Sequence, residues 1–170
     1  MAEPDILLPK NLVEKARAVI ERNRATGRRI ALAESCTGGL VGAALTEIAG
    51  SSDVFETALV TYSNDAKIGL LSVNPDIIDT FGAVSQAVAW AMARGALDHS
   101  DADIAVSITG VAGPGGGTDK KPVGTVVFGR ALRGGDPDAI EAYQKRFADN
   151  GRAGIRLQAA LWALELLLPE

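Results

Sequence analysis

Apolar positions recur every three or four residues along 10–24, KNLVEKARAVIERNR, where Leu12, Ala16, Val19 and Ile20 share one face of a helix. Gly27 is placed to end it, with Arg22, Arg24 and Arg28 near the carboxyl-terminal end of the dipole. The pattern then changes. RIALAES is a short apolar run, the mark of a buried strand. GGLVGAALTEIAG returns to helical spacing, its small residues suit close packing on a sheet, and Gly50 stops it. SSDVFETALVTYS holds a strand centred on 57–62. NDAKIGLLSV predicts a short helix with Asn64 as its cap, and Pro75 begins a turn. SQAVAWAMARGALDHS is a helix capped by Ser85. ADIAVSITG is a buried strand entering VAGPGGGTDKKP, which is too rich in glycine for regular structure. VGTVVFGRAL and DAIEAYQKRF are further strands, and RAGIRLQAALWALELLL carries the most sustained helical pattern.

Strands alternating with helices predict an α/β layered fold with a mixed sheet. No repeat or long linker divides residues 1–170, so a single domain is expected. Functional loops of such folds gather where strands end. The loops after residues 34, 62 and 109 all follow predicted strands, so three local signals converge on one expected site.

Composition narrows the classes. An apolar content of 47% argues against disorder. A net charge of -4 with no block of Lys or Arg argues against a nucleic-acid partner. One cysteine forms no internal disulfide and no cysteine metal cluster, which fits a reducing compartment. The opening MAEPDILLPK lacks the basic and apolar regions of a signal peptide, and no apolar run is long enough for a membrane span. A soluble cytoplasmic protein with no membrane partner is expected.

The stretch LAESCTGG places Ser35 at a strand-to-helix junction. The amides of Thr37, Gly38 and Gly39 are first-turn donors suited to an oxyanion, and the two glycines let a substrate approach the backbone. The alternative is that Ser35 or Thr37 merely caps the helix. Cys36 is intrinsically the stronger nucleophile, but a lone cysteine with no histidine near it in sequence also fits a small core residue. The sole histidine, His99, ends a predicted helix, where the dipole accounts for it. A serine enzyme here needs another base. TYSNDAK offers Tyr62 and Lys67: a desolvated lysine accepts a proton, and a tyrosine hydroxyl relays one. The ordinary alternatives are a surface lysine and a sheet-edge aromatic. The glycine-rich stretch after residue 110 either cradles a phosphate through its amides or is a mobile surface loop. It is not a Walker A loop, since Pro122 follows Lys120 and Lys121, and no dinucleotide-type glycine fingerprint follows a first strand. Lys120, Lys121, Arg152 and Arg156 either reach an anionic ligand or are solvated charges. With one Cys, one His and no concentrated ligand motif, no metal or other cofactor is expected.

Taken in order, AESCTGG, VTYSNDAK, GAVS, VSITGVAGPGGGTDKKPVGTV and the R-x-x-x-R start of the last helix resemble the CinA carboxyl-terminal domain family, over residues 10 to 168. The resemblance implies a three-layer α/β/α sandwich around a central mixed sheet, usually assembled as a homo-oligomer. It implies hydrolysis of the carboxamide of nicotinamide mononucleotide (NMN) to nicotinate mononucleotide and ammonia, a step in pyridine nucleotide recycling. The family serine falls on Ser35 and its tyrosine and lysine on Tyr62 and Lys67, the implied catalytic set. The I-x-G-x-A-G-P motif falls on residues 108 to 114, which makes Thr109, Gly110 and Gly113 substrate-binding residues beside Thr37, Gly38, Gly39 and Arg152. Two departures stand out. Thr109 replaces a frequent serine, and FADNGR is one residue longer than the usual F-x-G-x-R turn before Arg152. Some members also carry an amino-terminal molybdopterin-binding-like domain, whose separate hydrolase activity is not expected of these residues. Two rival readings remain: an amidase for another small carboxamide, and a non-catalytic nucleotide-binding module associated with competence.

Overall fold

A computed structural model describes residues 6–170; the first five, half of the opening MAEPDILLPK on which the expected absence of a signal peptide was read, lie outside the described residues. The elements run α1 (Lys10–Thr26), β1 (Ile30–Glu34), α2 (Leu40–Thr46), β2 (Phe55–Val60), α3 (Asn64–Leu71), α4 (Pro75–Phe81), α5 (Gln86–Asp98), β3 (Ile104–Gly110), β4 (Thr125–Leu132), β5 (Ala142–Arg146) and α6 (Gly151–Leu166). The five strands form one sheet in the order β2-β1-β3-β4-β5. β1 runs parallel to β2 and β3, and β4 runs antiparallel to β3 and β5, so the sheet is mixed as expected.

Alternation along the strands divides the interior in two. Ile30, Leu32, Ile104, Val106, Ile108 and Phe128 pack with α1, α2 and α6. Ala31, Ala33, Ala105 and Ala131 face the other way, toward α4 and α5. The second face is built from small residues, and α5 lies close against it. The Ser107 hydroxyl donates to the Ala89 carbonyl of α5 at 2.5 Å, and a Cβ added to Gly129 would stand 2.3 Å from that same oxygen. Helices on both faces complete the α/β/α arrangement that the family resemblance implied.

Local chemistry sets the boundaries. Gly27 ends α1 in the left-handed region at φ 66°, and the Ser85 hydroxyl accepts from the Val88 amide at 3.2 Å, both as expected. His99 closes α5, with Nδ1 2.8 Å from the Gly95 carbonyl. Three expectations are corrected. Ser63, not Asn64, caps α3, accepting from the Ala66 amide at 3.0 Å. Pro75 opens the helix α4 rather than a turn, because Asn74 accepts from the Asp76 amide at 2.9 Å and proline suits the first helical position. α2 ends at Thr46, before Gly50, which instead leads into a 3-10 turn over Ser51–Asp53. Among the described residues, no helix is long and apolar enough to cross a membrane.

The strand order also creates a place for a ligand. β2 and β3 lie on opposite sides of β1. The connection to β2 passes through α2 on one face, and that from β2 to β3 passes through α3, α4 and α5 on the other. The chain therefore leaves the carboxyl ends of β1 and β3 in opposite directions, which opens a crevice there.

Candidate active site

Ser35 is the first residue past β1, and its amide still donates to the Ile108 carbonyl of β3 at 2.9 Å. The chain then turns back on itself: the Gly38 amide donates to the Ser35 carbonyl at 3.0 Å. Gly38 and Gly39 follow at φ 59° and 96°, a region that side chains resist.

Glu34 organises this turn, and the sequence reading did not single it out. It is fully buried at the end of β1. Its carboxylate accepts from the Thr37 hydroxyl at 2.7 Å and from the amides of Gly39, Val41 and Gly42 at 3.0, 3.2 and 2.8 Å. Those donors offset the cost of burying the charge. They also redistribute the expected oxyanion donors, since the Gly38 and Gly39 amides are used inside the loop. Among the described residues, the amides of Cys36 and Thr37 have no intramolecular acceptor. Of these two residues only Cys36 lines the cleft.

Lys67 lies in the opening turns of α3 and is 1% exposed, so it is not a surface lysine. Its Nζ is 3.1 Å from Ser35 Oγ, 2.9 Å from the Thr61 carbonyl and 3.2 Å from the Tyr62 carbonyl. No carboxylate is among these partners. Burial holds its pKa below the ordinary 10.5, with only Cys36 acting in the opposite sense. The nearby helix amino terminus also disfavours a cation. A neutral amine has two N–H bonds and one lone pair. The two carbonyls take the hydrogens, and the lone pair is left for the Ser35 O–H.

The Tyr62 hydroxyl, expected as a relay, meets Arg152 rather than Lys67. The residue is 61% exposed, its hydroxyl is 2.9 Å from Arg152 Nη2, and its backbone carbonyl accepts from Lys67. Arg152 also donates to the Gly113 carbonyl at 2.7 Å, so the longer turn before α6 still delivers it to the cleft. The other basic candidates are used elsewhere. Arg156 donates to the carbonyls of Cys36 and Thr37 at 3.1 and 3.0 Å, and Lys121 to that of Phe81 at 2.8 Å. Lys120 is exposed and, like Lys121, does not line the cleft.

The three loops meet as expected, around a cleft of about 190 Å³ lined by Ser35, Cys36, Tyr62, Lys67, Thr109 and Arg152 among others. Asn64 lines it too, although the sequence marked that residue only as a cap. The Thr109 hydroxyl is committed to the Ala83 carbonyl at 2.9 Å. A side chain at Gly110 would press on Cys36, its Cβ 3.1 Å from Sγ, and one at Gly113 would meet Val123 at 2.6 Å. Burial first, then the Glu34 charge, pushes the Cys36 thiol up to about 11, so it stays protonated near neutral pH. The cleft thus pairs a serine hydroxyl with a buried lysine amine, beside a protonated thiol.

Residues 13–170 match the CinA C-terminal domain. A protein of Enterobacter agglomerans named nicotinamide-nucleotide amidohydrolase PncC is 48% identical over 147 residues, covering 86% of this chain and 87% of that one. A CinA-like protein of Chlorobaculum tepidum is 56% identical over 122 residues, which are 72% of this chain but 29% of that longer protein. The chain thus spans less than a third of that relative. Among solved structures, the competence/damage inducible protein CihA from Agrobacterium tumefaciens superposes with a TM-score of 0.89 at 47% identity, covering 95% of this chain and 96% of that one. Sequence and backbone agree from within α1 to beyond α6, and the chain belongs to the CinA C-terminal domain family.

Proposed function

We propose that this protein is a nicotinamide-nucleotide amidohydrolase that cleaves the carboxamide of NMN through an acyl-enzyme on Ser35, with Lys67 as general base. The contact of 3.1 Å between Ser35 Oγ and a buried lysine amine carries the reading. The amidohydrolase name of the Enterobacter relative supports the substrate.

Lys67 accepts the Ser35 proton as Oγ attacks the carboxamide carbon. Negative charge grows on the carbonyl oxygen, and the Cys36 amide, next in sequence after the nucleophile, faces it. Lys67 is now an ammonium with three N–H bonds. It returns one proton to the departing nitrogen, the C–N bond breaks, and ammonia leaves. Water then attacks the ester with Lys67 again as base, releasing nicotinate mononucleotide and restoring Ser35. Arg152 lines the cleft as well, and we assign it the substrate phosphate. The same reading takes residues 1–170 as one catalytic domain that works in the cytoplasm as a homo-oligomer.

The test is a product-resolved assay. Purified protein is expected to yield nicotinate mononucleotide and ammonia in equal amounts, and hydroxylamine is expected to divert the acyl group to a hydroxamate. Folded protein that forms neither product across a broad pH range overturns the reading. Ammonia from other carboxamides but none from NMN moves it to a different amidase.

A further inference from the structure

Arg156 follows Arg152 by four residues on α6, but it does not line the cleft. Its guanidinium spans two successive carbonyls, with Nε 3.1 Å from Cys36 O and Nη2 3.0 Å from Thr37 O. Glu34 holds the same turn by other groups, the Thr37 hydroxyl and the Gly39 amide. The segment carrying Ser35 is therefore held by a cation at its carbonyls and by an anion at its donors. Gly38 leaves room for this grip, since a Cβ there would already stand 3.4 Å from Arg156 Nη2.

The carbonyl and N–H of a trans peptide point in opposite directions. With Thr37 O on the guanidinium, the N–H of the same peptide, that of Gly38, points away from Arg156 and meets Ser35 O at 3.0 Å. With Ser35 O engaged there, the N–H of its own peptide, that of Cys36, points out of the turn, where no protein acceptor meets it among the described residues. Two peptides thus link Arg156 to the N–H beside the nucleophile. A charge at one end of such a chain polarises every dipole along it in the same sense.

We propose that Arg156 is a positioning residue: through the Thr37–Gly38 and Ser35–Cys36 peptides it aims and polarises the Cys36 N–H that receives the oxyanion, and it does not hold the substrate phosphate. The inference rests on the amidase reading for its reaction, but its test does not depend on NMN. A fluorophosphonate that labels Ser35 places its own oxygen at the oxyanion position. Arg156→Met and Arg156→Lys are compared with the unmodified protein for labelling rate, for kcat and KM on NMN, and for preference for NMN over its dephosphorylated riboside. The expected result is a fall of about 10- to 100-fold in labelling rate and kcat, less than the full loss of an oxyanion donor. KM and the preference for the phosphorylated substrate stay within about 2-fold, since the interaction acts on the transition state. Lysine is expected to rescue poorly, because a point charge cannot span two carbonyls. Guanidinium added to Arg156→Ala is expected to restore labelling, which separates positioning from folding if the Met variant is unstable. Normal labelling and kcat in a folded variant overturn the proposal. So does a loss confined to KM with collapse of the phosphate preference. If the unmodified protein labels at Ser35 but does not turn over NMN, the substrate reading fails while Arg156 is still judged by labelling. No labelling of the unmodified protein overturns both.

Discussion

Lys67 is held where water cannot help it carry a charge, and both the role proposed for it and its cost follow from that. Its pKa lies below the ordinary 10.5 in the folded protein, so between the two values the unfolded chain binds the extra proton. Stability therefore rises with pH across that window, and the penalty for burying the charged amine is fully present below the folded value and relieved as pH approaches the unfolded one. The stability of the unmodified protein relative to Lys67→Met, measured by urea unfolding, is expected to increase as pH approaches 10.5; a difference that stays flat with pH argues against a depressed amine. Turnover is expected to rise through the same folded pKa, since only the neutral amine accepts a proton. Ser35→Ala is expected to lower kcat by at least about 1,000-fold with substrate binding retained, as for other nucleophile removals. Cys36→Ala is expected to stay within about 10-fold, because its thiol is protonated and its backbone amide survives the change. Near-normal turnover in folded Ser35→Ala beside an inactive Cys36→Ala exchanges the two roles. Ser35 and Lys67 were legible in the sequence as candidates because the chemistry proposed for them lies in their side chains. The contacts of Tyr62 were not, since its backbone carbonyl, which every residue type has, touches the lysine while its hydroxyl goes to Arg152.

Among the elements, α2 depends on its neighbour in a way the hydrogen bonds make explicit. Its amino terminus has no cap of its own and borrows the carboxylate of Glu34 from the end of β1. Glu34→Gln puts an NH2 group where donors already converge, so at least one of the four hydrogen bonds is lost. The expected loss is about 1–3 kcal/mol of unfolding free energy, the cost of leaving a buried polar group unpaired. Chemical denaturation checks it, and a change below about 0.5 kcal/mol, the usual effect of a surface substitution, contradicts the assigned role. Helices with strong periodicity and a marked end, Gly27 after α1 and Ser85 before α5, were legible in the sequence. α4 was not, because proline marks a helix start and a turn equally well until the Asn74 cap is seen. Nor was the choice of cap between Ser63 and Asn64, neighbours of nearly equal capping ability.

For the molecule as a whole, the sequence indicated a mixed sheet and loops gathering at strand ends, but not the strand order. That order places the β1 loop beside the β3 loop and turns three signals into one cleft. Nothing local in a strand records its neighbours, whereas the size of its side chains does record how close the next layer comes. Ala31, Ala33, Ala105, Ser107 and Gly129 leave α5 almost no clearance, while Leu32, Ile104 and Val106 face α1, α2 and α6 across a thicker layer. The two sides of one strand therefore differ in the histories open to them. On the thick side, exchanges among Leu, Ile and Met keep the volume and cost under about 1.5 kcal/mol. On the thin side any larger side chain adds atoms for which there is no room, and α5 would have to lift from the sheet to admit them. A saturation library scored for folded protein is expected to accept varied apolar residues at 32, 104 and 106, to return almost only Gly, Ala or Ser at 31 and 105, and to return only Gly at 129. Variation in this protein would then be a one-sided record, written on the face of α1 and α6 and nearly blank on the face of α5.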